Sequence, residues 1–157
     1  MVRFLVLSVA LGLPALAASK PVEGPPGLSR EEALAREKSA GTDPKKLVEL
    51  AGMVDAAHAR KLLQRVYQLL QQEKGADRAD ARTQFTRILP RVARSPMEVK
   101  EVLGAPAPAQ VSRQLFYRRY REVWVYASPF GLVVIFDCVR GNDPYLYAVV
   151  SVPGVKI

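Results

Sequence analysis

The side chains able to do chemistry in this chain are few and scattered. His58 is the single histidine, so a histidine metal cage has too few imidazoles, and any Ser-His-Asp arrangement must use this residue. It stands between Ala57 and Ala59, three residues after Asp55, which reads as a partly exposed helical histidine. A carboxylate pair can do acid-base work without being close in sequence, which brings in Glu122, Asp137 and Asp143. The two aspartates flank a turn, where side-chain to backbone hydrogen bonds are their expected task, and Glu122 is expected to pair with an arginine. That turn lacks the ring of oxygen ligands calcium needs. Gly24 to Gly27 is a proline-rich stretch without the preceding strand or following lysine of a phosphate loop. Cys138 is the only cysteine, which excludes an internal disulfide framework and a multi-cysteine metal site; its expected role is that of a small buried hydrophobe at a strand end. The expectation is a protein that is not an enzyme and holds no metal or cofactor.

The densest chemistry lies in YRRYREVWVYASPFGLVVIFDC, residues 117–138. Arginines beside aromatics suit single-stranded nucleic acid, where rings stack on bases and guanidinium groups neutralise phosphate. The binding candidates are Arg118, Arg119, Arg121, Trp124 and Tyr126. Their spacing favours a different use. Glu122, Trp124 and Tyr126 alternate with Val123 and Val125, the period of a strand rich in aromatic and β-branched residues. The reading is a tryptophan-bearing ribbon whose apolar side lies under helices, with the arginines at its mouth discouraging edge-to-edge aggregation. No nucleic-acid partner is expected.

The elements that must position these residues follow from local signals. Ser29 and Glu32 form a capping-box pattern opening a helix to about Ala40, with Leu34 and alanines as its apolar contacts and Gly41 closing it. Asp43-Pro44 is an N-cap followed by a first-turn proline. Between Ala56 and Glu73, Ala59, Leu62, Leu63, Val66, Leu69 and Leu70 fall on one helical stripe. After Gly75, Ala81, Phe85, Ile88 and Leu89 repeat the pattern as the second arm of a helical hairpin, which Pro90 kinks or ends. Ser95-Pro96-Met97-Glu98 opens a short helix that Gly104 terminates.

From there the period changes to alternation. Strands are expected over residues 122–126, 132–136 and 145–152, joined by turns at Ser128–Gly131 and Gly141–Pro144. In the last strand, Leu146, Ala148 and Val150 are expected on one face. In residues 113–121, Leu115, Phe116, Tyr117 and Tyr120 fit either another strand or a helical turn, and the segment is read only as an extended entry. The predicted class is α+β: amphipathic helices, then a short helix and a three-stranded antiparallel sheet.

Leu103-Gly104-Ala105-Pro106, Trp124-Val125-Tyr126 and Phe136-Asp137 stand in the order of a short helix, a strand and a second strand. This part of the chain resembles the SmpA/OmlA/BamE family of small accessory proteins of outer-membrane β-barrel assembly. The resemblance implies two helices packed on a three-stranded antiparallel sheet, acting without catalysis as a binding module. The lipid-bearing cysteine typical of that family is absent, and residues 29–93 form a longer helical region than the family has.

At the N-terminus, Arg3, the apolar run Phe4–Leu13 and the small-residue pattern Ala15-Leu16-Ala17 have the architecture of a secretory signal peptide cleaved after Ala17. The run is too short to span a bilayer, which takes about 20 apolar residues. The expected layout is signal peptide 1–17, flexible tether 18–28, helical region 29–94 and α+β domain 95–157. The formal net charge is +8, and residues 60–100 hold ten Lys or Arg against four Asp or Glu. This admits an anionic lipid or polymer as a partner, although a solvated helical face explains it equally well. The leading expectation is an exported protein-binding or scaffold module of the cell envelope, periplasmic or extracellular, with an envelope protein as partner.

Overall fold

The computed structural model describes residues 27–72, 78–127, 129–152 and 154. The expected signal peptide with Ala15 and Ala17, most of the tether, and Gly75 lie outside the described residues. Among those described, no helix is long and apolar enough to cross a membrane. Within the described residues, five α-helices precede a four-stranded antiparallel sheet.

Helix α1, Arg30–Ala40, starts where Ser29 and Glu32 satisfy each other's backbone N–H groups. It buries only Ala33 and Ala40, while Leu34 is exposed, contrary to the expected contact. Polar groups attach it instead: His58 Nε2 lies 3.0 Å from Glu37 Oε2, and Arg65 bonds both Glu37 and the Gly41 carbonyl. In α2, Pro44–Ala51, the Asp43 carboxylate accepts from the Lys45 N–H at 3.0 Å. Helix α3, Ala56–Gln72, buries Ala59, Leu62, Leu63, Val66 and Leu70, the stripe its spacing requires. Helix α4, Ala79–Val92, contains Pro90 within its last turn rather than ending there.

Helix α5, Pro96–Leu103, begins with a second capping box, Ser95 with Glu98, whose carboxylate also accepts from the Arg94 N–H at 2.8 Å. Gly104 follows at φ 81, ψ 169, a backbone conformation essentially confined to glycine. The chain can therefore turn sharply from α5 toward the sheet.

Strands β1 Val111–Phe116, β2 Arg119–Tyr126, β3 Leu132–Val139 and β4 Tyr145–Ser151 pair in the order β1-β2-β3-β4. The sheet thus has four strands where three were expected. The extra strand, β1, covers part of the stretch read as an extended entry. It escapes pattern reading because most of it has no buried side: from Ser112 to Phe116 every residue is exposed. Without one dry face, no apolar alternation is required.

A second correction concerns β4. Phe136 pairs with Leu146 but Ile135 pairs with Ala148, so Tyr147 is an extra residue opposite no partner. This bulge reverses the alternation. Leu146 and Val149, rather than Leu146, Ala148 and Val150, pack toward the core.

One buried cluster spans the helices and the sheet, from Ala40 to Cys138. Its centre is aromatic. Phe85 of α4 meets Phe130 edge-on at 5.2 Å, and Tyr67 of α3 lies 6.2 Å from Phe85, Phe130 and Tyr126. Gln71 holds the β2–β3 connection through the carbonyls of Ala127 and Phe130. At the other edge, the Leu146 N–H of β4 donates to the Arg94 carbonyl at 2.6 Å.

Replacing Phe85 by Ala removes the ring that joins α4 to Phe130 and is expected to destabilise the protein by about 3–5 kcal/mol, read from urea unfolding. A pH experiment tests the α5 cap. Backbone N–H groups, first that of Arg94, hold the Glu98 carboxyl below its ordinary value. A depressed folded-state value adds stability above the unfolded value, about 4.3, and loses it as pH falls through the folded value. The stability difference between wild type and Glu98→Gln is therefore expected to be full near neutrality and to vanish in acid; a pH-independent difference would contradict this account of the cap.

Candidate functional site

Alternation along β2 divides the residues singled out in the sequence. Trp124 and Tyr126 point to the helical side and are 3 % and 5 % exposed. The indole packs against Phe136 with centroids 4.5 Å apart and donates to Glu122 at 2.8 Å. The Tyr126 hydroxyl donates to the Gly104 carbonyl at 2.9 Å, and burial pushes its phenol far above its ordinary value. Arg119 and Arg121 stand one residue out of phase and so occupy the opposite, outer face. Arg118 lies between the strands at φ 62, with its guanidinium 5.2 Å from the Tyr117 ring. The five residues do not form one site. The tryptophan ribbon is covered, and the arginines are not beside it.

What the fold assembles on the outer face is a different group. In register, Arg121 opposes Asp137, Arg119 opposes Val139, and Phe116 opposes Arg119. The Arg121 guanidinium lies 4.2 Å from the Tyr147 ring centroid and 5.6 Å from that of Phe116, which Arg119 approaches equally closely. Beneath them Asp137, expected at a turn, lies inside β3 and is 3 % exposed. It accepts from the Tyr145 hydroxyl at 3.2 Å and lies 3.7 Å from Arg119. The hydrogen bond from Tyr145 to Asp137 raises that phenol above its ordinary value. Burying a carboxylate is costly unless it is paired; Arg119 and Tyr145 both approach Asp137 Oδ2, while Oδ1 is buried without a hydrogen-bond partner. Alongside them run Val123, Val125, Val133 and Ile135, half-buried, and Val150, exposed.

Sequence reasoning missed Phe116, Tyr145 and Tyr147 as members of this face. Phe116 belongs to the patternless strand, and Tyr147 owes its position to the bulge. Parity along β2 was the available signal: odd positions from 119 to 125 face one way, even positions the other.

The remaining chemical groups are kept apart. Glu122 sits on the inner face, 3.0 Å from Arg113 and bonded to Trp124. His58 pairs with Glu37 on the helical layer. Cys138 is buried and free, opposite Tyr120, whose phenol is raised by a hydrogen bond with that thiol. Among the described residues no group of His, Cys, Asp and Glu is placed to hold a metal ion.

Two concavities flank β1. One of about 490 Å³ lies on its inner side, where Lys100, Pro108, Val111, Arg113, Glu122 and Trp124 are among the lining residues. The other, about 470 Å³, lies where the two hairpin turns meet and includes Arg118, Arg119, Arg140 and Asn142.

Compared with protein-family models, curated proteins and solved structures, the chain matches none. The site therefore rests on its own geometry.

In Asp137→Ala, the Tyr145 phenol loses both its acceptor and the nearby negative charge. Its titration, followed by ring proton shifts, is expected to return toward the ordinary tyrosine value of about 10; an unchanged titration would break the assigned contact.

Proposed function

We propose that this chain is an exported, noncatalytic protein-binding module of the cell envelope, docking through the outer face of its sheet and the β1–β2 hairpin. The observation that carries this reading is the make-up of that face. Val123, Val125, Val133, Ile135 and Val150 line a strip beside Phe116, Tyr147 and two arginines. Apolar area with aromatic and arginine residues is the composition of protein interfaces, and Arg and Tyr are the commonest energetic anchors. The signal-like N-terminus supports export. The resemblance to the SmpA/OmlA/BamE family supports an envelope role, with β2, β3 and β4 as the family's three strands and β1 as an addition to them. The separate pairings of His58, Glu122 and Asp137 support a role without catalysis.

Adhesion to anionic lipid or polymer is a second reading, favoured by the concavity that gathers Arg118, Arg119 and Arg140. Polyanion binding releases counterions and weakens steeply with salt. Partner capture does so less where apolar contacts dominate.

The test is mild crosslinking capture from envelope extract with wild type and with Val150→Glu. The substitution places a charge at an exposed position of the face and is expected to leave the melting temperature unchanged while lowering recovery of the captured protein by roughly tenfold, as for an interface residue worth about 1.4 kcal/mol. Absence of a stable partner, or capture indifferent to Val150→Glu, counts against the reading. Sedimentation with vesicles that rises with acidic lipid and collapses with salt would favour the second.

A further inference from the structure

The two edges of the sheet are treated differently. Along β4, the backbone N–H of Leu146 is taken by the carbonyl of Arg94 in the α4–α5 connection. Along β1 the Val111 N–H is taken by the Pro108 carbonyl of the preceding turn, but among the described residues the outward backbone groups of Arg113 and Leu115 meet no other element beyond the ladder to β2. In an antiparallel edge strand, alternate residues turn their N–H and C=O away from the sheet, and such a row is a template for another chain. Its flanks are also bare. Leu115 on the inner side and Tyr117 at the hairpin tip are 85 % and 86 % exposed.

We propose that β1 is a strand-addition site that takes an extended acidic segment of a partner protein as a fifth strand. This rests on the protein-binding reading above and names how the partner is held. Main-chain hydrogen bonds supply affinity in this mode, and pockets for alternate side chains supply specificity. The pockets are present on both sides. Inner-facing side chains of the added strand enter the groove of about 490 Å³ beside Trp124, where Lys100, with its ammonium 5.4 Å from the indole, meets a carboxylate, while Arg113 is paired with Glu122 at 3.0 Å. Outer-facing side chains come alongside Phe116 and its two arginines.

Charge selects the occupant. The β1–β2 hairpin carries Arg113, Arg118, Arg119 and Arg121 against Glu122 as its own acid, with Asp137 beneath. A second copy pairing β1 to β1 sets two hairpins of like net charge side by side, and these repel, although of the arginines only Arg113 lies on β1 itself. An acidic strand reverses that penalty.

The probe is a capped peptide of alternating glutamate and valine, about as long as β1, with three controls: its lysine counterpart, a form N-methylated on alternate backbone nitrogens, and heparin as a polyanion without a peptide backbone. The readout is amide hydrogen exchange of residues 111–116 in the full chain. In the free protein the outward amides of β1 exchange fast. The acidic peptide is expected to slow them by roughly tenfold or more, while the lysine and N-methylated peptides and heparin leave them fast. Lys100→Glu, an exposed change, is expected to weaken the acidic peptide by roughly tenfold, about 1.4 kcal/mol.

Overturning results are unmoved β1 amides, equal protection by the N-methylated peptide or heparin, protection already present in the free monomer, or protection that grows with protein concentration as a dimer forms. If Val150→Glu abolishes partner capture while β1 stays unprotected by the peptide, strand addition fails and the docking face stands. If β1 is protected but no envelope protein is captured, the reverse holds.

Discussion

Phe130 leaves the sheet at the β2–β3 connection and enters the helical layer, fully buried between Phe85 and Tyr67. Everything else about the molecule's orientation depends on this insertion. It pins the end of the sheet to α3 and α4, and Gln71 fixes the backbone on either side of it. Aromatic pairs of this kind add about 0.5–1.5 kcal/mol each beyond the area they bury. Their larger effect is geometric, because they decide which sheet face meets the helices. Once Phe130 is seated, Trp124, Tyr126, Leu132, Val134 and Phe136 turn inward together, and the arginines of β2 have no choice but the other side.

The outer face carries the consequences. Asp137 is drawn into the sheet by strand parity and cannot be left without counterparts, so Arg119 and Tyr145 approach it. Arg121, its cross-strand neighbour, spreads over Tyr147. Tyr147 reaches that position through the β4 bulge, which also frees Val150 from the core side. A single inserted residue therefore both completes the aromatic rim and leaves an aliphatic side chain exposed beside it. Bulges that redirect side chains in this way are commonly placed where a surface has work to do.

The helices were legible in the sequence because their signals are local. Ser29 with Glu32 and Ser95 with Glu98 cap where their spacing places the caps, and the stripe from Ala59 to Leu70 is buried as periodicity requires. The central strand signals at 122–126 and 132–136 were legible for the same reason: one wet side and one dry side impose alternation. Three things were not. Most of β1 buries nothing and so writes no pattern. The bulge changes parity without changing composition. Leu34 looks like a core residue but stays exposed, because α1 buries only Ala33 and Ala40 and is otherwise held by Glu37 with His58 and Arg65. The candidate site suffered most, since arginines and aromatics adjacent in sequence were split between two faces.

Stability and exposure are consequently separated within one small sheet. The β2–β3 pair is anchored beneath by the buried cluster, so it opens only with the whole core. By contrast β1 rests on its ladder to β2 and, at its start, on Val111 and the preceding turn. Local opening costs least where few apolar contacts must be broken, which makes β1 the part of the sheet whose pairing can be adjusted without disturbing Phe130. The opposite edge lacks that freedom, because the Arg94 carbonyl already occupies it and ties it to the capping box of α5. An architecture that ties β4 to the helical layer and buries one sheet face leaves the outer face and the β1 edge as the accessible parts of the sheet.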